Sequence, residues 1–144
     1  RKDLFPVGRL DKDTEGLLLI TNDGELAHRL LSPKKHVDKC YFARVSGKVT
    51  EDDVRSFENG VNIGSLEQPE ITMPGKLEII TSDEISQIHL TIQEGKFHQV
   101  KRMFRAVGKE VIYLKRLRMG TLVLDENLSI GEYRPLTKEE LEKL

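Results

Sequence analysis

The sequence predicts an α+β domain built on a mixed, mainly antiparallel β-sheet with flanking helices. Apolar residues alternate in some segments, as in half-buried strands, and recur at helical spacing in others. The two kinds of segment are interleaved without the regular spacing of βαβ units, which favours this class over a parallel sheet. The chain has 144 residues, of which 38% are hydrophobic. That length suffices for one domain with a core and is too short for two of ordinary size.

The first predicted elements are a strand and a helix. The apolar run 16–22 ends at the turn signal Asp23-Gly24 and is typical of a buried strand. The leucines of 25–31 then recur on one side of a helix, which Pro33 ends shortly afterwards.

The next two predicted elements have clear local signals. Residues 37–46 alternate as a strand, which puts Tyr41 and Cys40 on opposite faces. Thr50 with Asp53 three residues later forms the pattern of a capping box and predicts a second helix.

The second half of the chain is expected to form a hairpin and a basic helix. Residues 76–81 and 85–93 are predicted to be its two strands. The spacing of apolar residues changes from strand-like alternation to helical spacing at 97–107. An amphipathic helix is predicted there, with Gly108 as its C-cap. The remaining predicted elements are strands at 111–119 and 121–124 and a closing helix capped by Thr137.

Charge is distributed unevenly along a chain whose net charge is only −1. Residues 51–94 carry ten acidic side chains against two basic ones, and residues 96–118 carry eight basic side chains against one acidic one. This asymmetry predicts one face that attracts phosphates and another that repels them. An anionic partner is the first hypothesis, although a solvated surface has the same composition.

The composition argues against several other classes. The single cysteine, Cys40, has no partner for an internal disulfide, which suits a reducing cytosol, and packing is its expected role. No apolar run approaches the roughly 20 residues needed to cross a bilayer. No second His or Cys stands at zinc spacing from His98. We therefore expect a cytoplasmic protein without a membrane span or a metal.

Two places in the sequence could carry chemistry. In the first, GRLDKDTEGLL, a charged loop leads directly into the predicted strand and holds Asp11 where it is fixed but reachable, as a nucleophile or base must be. A turn or cap residue is the alternative for Asp11. In the second, GKFHQVKRMF, His98 could act as an acid, a base or an RNA contact, or be an ordinary exposed histidine.

Four segments of the sequence resemble the RsuA family of pseudouridine synthases, bacterial enzymes that isomerise uridine in ribosomal RNA. They are LFPVGRLDKDTEGLLLITNDGELAHRLLSP, the strand around Lys39 and Tyr41, EGKFHQVKRMFRAVG and GEYRPLT. The similarity extends from Leu4 to about Glu140, and its motifs are closest to the member that acts on small-subunit rRNA. It implies the pseudouridine synthase fold and a reaction without a cofactor or metal.

The resemblance also implies catalytic roles for three residues. Asp11 corresponds to the essential aspartate that attacks the sugar or the base of an extruded nucleotide, after which the uracil turns and rejoins through C5. Tyr41 corresponds to the tyrosine that stacks on the base, although from its strand pattern alone a core position is the alternative. Lys101 corresponds to the basic residue that pairs with the aspartate and keeps it ionised.

A further set of residues is expected to contact RNA. Arg9 corresponds to an arginine that enters the RNA where the flipped nucleotide was, with a structural salt bridge as the alternative. The whole expected set is Arg9, Lys12, Thr14, His98, Gln99, Arg102 and Arg105. The implied partner is ribosomal RNA in a single-stranded or looped region, or an assembling ribosomal subunit, bound by a monomer.

Two features of the family are not found in this sequence. The resemblance makes residues 1–144 a catalytic domain that is incomplete at its N-terminus. The family's upstream S4-type RNA-binding domain and its opening strand with an NKPxG-like turn are both missing. We therefore expect an unpaired edge in the sheet.

Two other function classes remain open. One is a catalytically silent RNA-binding module of the same fold. The other is a hydrolase that cleaves a glycosidic bond and needs a second carboxylate, from Asp13 or Glu15, about 5 to 9 Å from Asp11. The enzyme hypothesis requires that Asp11, Tyr41 and Lys101 converge on one cleft.

Overall fold

The computed structural model describes residues 3–144. The strands are β1 (Phe5–Pro6), β2 (Glu15–Gly16), β3 (Ile20–Thr21), β4 (Lys39–Ser46), β5 (Lys76–Thr81), β6 (Ile85–Ile92), β7 (Glu110–Met119) and β8 (Leu122–Val123). The helices are α1 (Gly24–Leu31), α2 (Glu51–Asn59), α3 (Gln99–Ala106) and α4 (Lys138–Lys143), with a 3₁₀ turn at Pro33–Lys35.

Among the described residues, six strands form the main sheet, in the order β2-β7-β4-β6-β5 with β8 also on β7. All of its pairs are antiparallel except β2 with β7. The predicted mixed, mainly antiparallel sheet with flanking helices is thus confirmed. Within residues 3–144, the outer side of β7 is paired only at its last positions, through β2 and β8, so its first half forms an open edge.

The larger hydrophobic core lies between one face of the sheet and helices α2 and α3. Strand alternation puts Ala43 and Val45 of β4 on this face, and both are fully buried. The Phe57 ring of α2 meets the Phe104 ring of α3 edge to face, with centroids 5.0 Å apart. This packing fixes α3, the basic helix, against the sheet.

A second, smaller core fixes the N-terminal segment. Leu26 and Leu30 of α1 pack with Leu19 and with Met119 and Leu122 at the end of β7 and in β8. The loop between β1 and β2 therefore projects from a rigid base towards the main sheet.

The apolar run 16–22 is not the single buried strand that its composition predicts. Gly16 pairs with β7 of the main sheet, whereas Ile20 pairs with β1 in a separate two-stranded sheet. Gly16 has φ +113°, a conformation that side chains rarely adopt, and the chain bends there. Ile20 is exposed. The first residue of the run pairs with β7 and its later residues pair with β1. The spacing of apolar residues does not show which strand a segment pairs with.

The other predicted helices and strands are found with small shifts of their ends. The capping box of Thr50 and Asp53 opens α2 as expected, with both of its hydrogen bonds formed. Helix α3 begins at Gln99, two residues later than predicted, because His98 has a left-handed backbone. Val107 is its C-cap, and Gly108 follows with φ +77°. None of the helices described is long and apolar enough to span a bilayer.

Candidate active site

Asp11 lies in the loop between β1 and β2, and both ends of that loop are tied down. The Val7 N–H donates to the Leu19 carbonyl at 2.8 Å, and the Thr14 N–H donates to the Asp11 carbonyl at 2.9 Å. Beyond Thr14, the parallel pairing of β2 with β7 fixes the chain where it leaves the loop. The Asp11 side chain is 24% exposed, so its carboxylate is held in position and remains reachable.

Two basic side chains from α3 and its N-terminus flank this carboxylate. Lys101 Nζ lies 3.7 Å from one Asp11 oxygen, and His98 Nε2 lies 3.6 Å from the other. Lys101 also donates to Asp13 Oδ1 at 2.5 Å, and this hydrogen bond lowers the pKa of Asp13. Lys101 therefore bridges two carboxylates of one loop, and His98 adds a second positive charge only when it is protonated.

A cavity of about 110 Å³ opens beside Asp11. Tyr41 forms part of its wall, together with the apolar side chains of Ile92, Val100 and Leu114. Asp11 and Tyr41 line this one cavity, whereas Lys101 contacts Asp11 without lining the cavity itself. The other expected site residues that line this cavity are Arg9, Thr14, His98 and Gln99.

A larger cavity of about 440 Å³ lies between α1, residues 35–38, the turn between β7 and β8, and the C-terminal residues. Its wall includes Arg29, His36 and Arg118, but none of the expected site residues. The chemistry therefore belongs to the smaller cavity, where a carboxylate, a phenol and basic groups converge.

The expected RNA-contacting residues differ in their availability. Arg9 and Lys12 are exposed, and Arg9 lines the cavity. Thr14 is half-buried in the cavity wall, and its hydroxyl oxygen is buried. Arg105 is 58% exposed and pairs with Glu110 at 3.1 Å. The side chains of Arg9, Lys12 and Arg105 are therefore accessible from solvent.

Gln99 does not fit the expectation of an RNA contact. Only 4% of the residue is exposed. Its amide nitrogen donates to Glu94 at 2.9 Å, and its oxygen accepts from the Lys96 N–H at 3.0 Å. The side chain is used inside the protein, where it holds the turn before α3. Arg102 is similarly engaged, by the Glu70 carboxylate and by the carbonyls of Ile63 and Phe97.

The acidic and basic segments do not form two separate faces. Lys109 of the basic segment pairs with Asp53 of the acidic segment at 2.9 Å. Lys96 and Arg102 both pair with Glu70, at 3.5 and 2.9 Å. The expected division into an attracting and a repelling face is therefore not complete, because the fold brings these opposite charges into contact.

Two basic residues of the cavity were missed as site residues. Lys39 and Arg116 both line it, and each residue is only 3% exposed. Burial lowers the pKa of the Lys39 amino group, and the nearby charge of Arg116 lowers it further. Strand alternation could have indicated Lys39, because it shares a face with Tyr41 and with two core residues. For Arg116 no comparable signal exists in the sequence.

Comparison with known proteins identifies the family. The sequence model of the family described as RNA pseudouridylate synthase matches residues 1–106. The chain belongs to this family. A pseudouridylate synthase of known crystal structure is 45% identical to it and superimposes with a TM-score of 0.90, over 99% of this chain and 60% of the other.

Curated members of the pseudouridylate synthase family resemble the chain over almost its whole length. The uncharacterized RNA pseudouridine synthase YtzG of Bacillus subtilis is 57% identical over 100% of the chain and 59% of its own length. Ribosomal small subunit pseudouridine synthase A of Salmonella typhimurium is 48% identical over 96% of the chain and 58% of its own length. The chain thus spans about three fifths of these relatives.

More distant structures share the fold. The archaeal box H/ACA sRNP Nop10-Cbf5 complex contains a chain that is 21% identical and superimposes with a TM-score of 0.56, over 88% of this chain and 41% of the other. Within residues 3–144, no group of three or more His, Cys, Asp or Glu side chains is arranged to hold a metal ion.

Proposed function

We propose that this protein isomerises a uridine of ribosomal RNA, in the small subunit, to pseudouridine. The observation that carries the proposal is the cavity in which Asp11 and Tyr41 meet, with Lys101 in contact with Asp11. Family membership and the relatives named for small-subunit rRNA support the same assignment. Residues 1–144 then act as the catalytic domain.

Asp11 is the nucleophile in this proposal. A carboxylate attacks only when it is ionised, and the ammonium of Lys101 lies 3.7 Å from one of the Asp11 oxygens. The target nucleotide enters the cavity, an Asp11 oxygen bonds to C1′ of the ribose, and the bond from C1′ to N1 of uracil breaks. The base then turns, its C5 bonds to C1′, and the carboxylate is released.

Tyr41 positions the base during this rotation. It is half-buried and lines the cavity from β4, so its ring can stack on the flat face of a pyrimidine. Its phenol can assist removal of the proton from C5. The side chain thereby combines the packing role and the active-site role that its strand pattern left open.

Arg9, Lys12 and His98 bind the RNA at the mouth of the cavity. Extruding a base costs a few kcal/mol, and the guanidinium of Arg9 can recover part of this by stacking in the vacated place. Contacts to phosphates position the RNA without selecting its sequence. The protein acts on rRNA or on an assembling subunit, as a cytoplasmic monomer without a cofactor or metal.

The Asp11→Asn variant tests the enzymatic role. The amide is nearly isosteric but does not attack, so we expect no pseudouridine from small-subunit rRNA or its assembly particles and an RNA affinity close to wild type. Pseudouridine mapping and a filter-binding assay measure the two quantities. Equal pseudouridine formation by the variant and the wild type would contradict the role of Asp11.

The same experiment separates the alternatives. A silent RNA-binding module binds RNA but forms no pseudouridine even as wild type. A hydrolase releases free uracil, whereas isomerisation releases none. The hydrolase needs a second carboxylate at the substrate. Asp13 contacts Lys101 beside Asp11, but neither Asp13 nor Glu15 lines the cavity.

A further inference from the structure

Lys39 and Arg116 leave donors unused at the cavity. Lys39 Nζ and Arg116 Nη2 are both buried and have no hydrogen-bond partner. Arg116 Nε is satisfied by the Leu17 carbonyl at 2.8 Å, which fixes the guanidinium while leaving Nη2 free. Buried polar groups nearly always have partners, so two unpaired cationic donors on one cavity wall require an explanation.

The burial of Lys39 and Arg116 beside each other destabilises the folded protein when no ligand is bound. The burial and the nearby Arg116 charge both act against the positive charge of Lys39, and the charges of Asp38 and Glu94 offset only part of this. Placing like charges together in a poorly hydrated region destabilises the folded state. A ligand that brings acceptor oxygens would remove the penalty.

The sheet register puts both cations beside the base-stacking residue. Arg116 is the direct cross-strand neighbour of Tyr41, and Lys39 lies two residues before Tyr41 on the same face of β4. A ring stacked on Tyr41 therefore has its edge within the reach of these two side chains.

The depth of the two cations favours a base over a phosphate as their ligand. Lys39 and Arg116 are almost completely buried, whereas Arg9, which also lines the cavity, is exposed. A phosphodiester is bonded to the RNA chain on both sides and has to stay near the mouth. The base is the terminal part of a nucleotide and is the part that can enter fully.

We propose that Lys39 and Arg116 form a subsite that binds the carbonyl oxygens of uracil and stabilises the negative charge of the base once its bond to the sugar breaks. The inference rests on the proposed isomerisation and extends it. When the C1′–N1 bond breaks, its electron pair goes to the uracil and spreads over N1 and the two carbonyl oxygens, while Asp11 bonds to C1′.

The return step balances without another reactant. The uracil donates an electron pair from C5 to C1′, and the pair of the Asp11–C1′ bond returns to the carboxylate. The proton on C5 is lost and N1 gains one, so the product is an isomer of the substrate. The two cations hold the base between the steps and prevent its escape.

A binding experiment tests the subsite independently of turnover. The probes are uracil and 6-azauracil, which have the same shape, at one mildly alkaline pH where the aza ring is anionic and uracil is neutral. NMR titration measures their dissociation constants. We expect wild type to bind the anion at least about tenfold more tightly, as for a charge-assisted hydrogen bond, and Lys39→Met to lose the preference.

The matched control is Lys115→Met. Lys115 precedes Arg116 on β7 and does not line the cavity, so the same change of charge should leave the preference intact. Thermal unfolding gives a second readout. Lys39→Met removes a buried unpaired charge and should be at least as stable as wild type, whereas loss of a structural group would lower the melting temperature.

Kinetics on small-subunit rRNA complete the test. Lys39→Met should lower kcat by about a hundredfold, as for loss of a preorganised charge donor, with little change in RNA affinity. Equal binding of the two probes by wild type, or retention of the preference in Lys39→Met, would overturn the subsite. So would weaker RNA binding at unchanged kcat, which would assign Lys39 to a phosphate. If wild type prefers the anion but forms no pseudouridine, the subsite stands and the proposed isomerisation fails.

Discussion

Asp11 differs from its neighbour Asp13 through the contacts each makes, although both lie in one short loop and both contact Lys101. The Asp13 side chain is 74% exposed, and Asp13 does not line the cavity. Glu15 accepts a hydrogen bond from the Tyr113 hydroxyl at 2.8 Å. Of the three acidic side chains, only Asp11 therefore faces the cavity, which favours a single-carboxylate mechanism.

Gln99 illustrates how a polar residue inside a functional motif can have a structural task. We predict that Gln99→Leu lowers the free energy of unfolding by about 1 to 3 kcal/mol, because it leaves the Lys96 N–H without its partner and leaves the buried Glu94 carboxylate with the Met73 N–H but without the Gln99 amide. Chemical denaturation measures this change.

Arg105→Gln is the comparison for Gln99→Leu. Its ion pair with Glu110 is exposed, so the free energy of unfolding should change by no more than about 0.5 kcal/mol. RNA affinity should fall more in Arg105→Gln than in Gln99→Leu. The reverse order in either measurement would contradict these assignments.

At the scale of elements, the two-residue strand β2 determines where the Asp11 loop leaves the sheet. Gly16 approaches β7 so closely that a Cβ there would lie 2.2 Å from the Arg116 carbonyl oxygen. The adjacent Leu17 N–H donates to that oxygen at 2.8 Å. The contact between β2 and β7 therefore both positions the Asp11 loop and holds the backbone at Arg116.

We predict that Gly16→Ala disrupts this pairing. The methyl group collides with backbone, and φ +113° is strained for alanine, so the free energy of unfolding should fall by at least about 1 to 3 kcal/mol. Displacement of Asp11 should lower kcat more than RNA affinity. Denaturation and steady-state kinetics measure both effects.

Gly24→Ala provides the control for Gly16→Ala. Gly24 is the first residue of α1, and a Cβ there meets no atom within 4 Å. This substitution should leave stability unchanged or raise it by up to about 1 kcal/mol. Similar losses in both variants would show that the loop does not depend on the close contact at Gly16.

At the scale of the whole molecule, the cavity lies between the two hydrophobic cores. Ile92 and Leu114 of its wall belong to the larger core, while Gly8 and Leu31 come from the segments that form the smaller one. A site between two packed units draws its residues from five separate parts of the chain. The stability of each unit therefore affects the geometry of the site.

The C-terminal motif GEYRPLT secures the smaller unit. Arg134 makes two hydrogen bonds to Glu140, at 2.8 and 2.9 Å, and a third to Asp125 at 2.7 Å. Leu136 and Leu144 pack against the smaller core. The motif is thus explained by folding, through an arginine that joins the loop after β8 to α4.

Acid should weaken this linkage in a defined window. The hydrogen bonds of Arg134, followed by the N–H of Thr137, lower the pKa of Glu140 from its usual 4.5 to about 2. A carboxylate whose pKa is lowered in the folded state stabilises the fold fully at a pH above its unfolded pKa. This stabilisation is lost as the pH falls towards the folded pKa. The stabilisation should therefore disappear between pH 4.5 and about 2.

We predict that the difference in melting temperature between wild type and Glu140→Gln narrows across that window. Thermal unfolding at a series of pH values measures it, and amide exchange in α4 reports the local effect. A constant difference would show that the charge of Glu140 does not hold the helix.

The sequence by itself determined the class of fold, most element positions and the loop that carries Asp11. Alternation in 85–92 and the capping boxes at Thr50 and Thr137 are local patterns, and a local pattern encodes which face is apolar and where a helix begins. The family motifs added the expected partners of Asp11, because those residues stand in fixed positions within them.

Only the tertiary structure decided which polar atoms are satisfied. It used Gln99 and Arg102 internally, split the run 16–22 between two sheets, and left the donors of Lys39 and Arg116 unpaired. The reason is physical: a hydrogen bond or a desolvated charge depends on atoms that are far apart in the chain, and their distances are set only when the sheet and the two cores assemble.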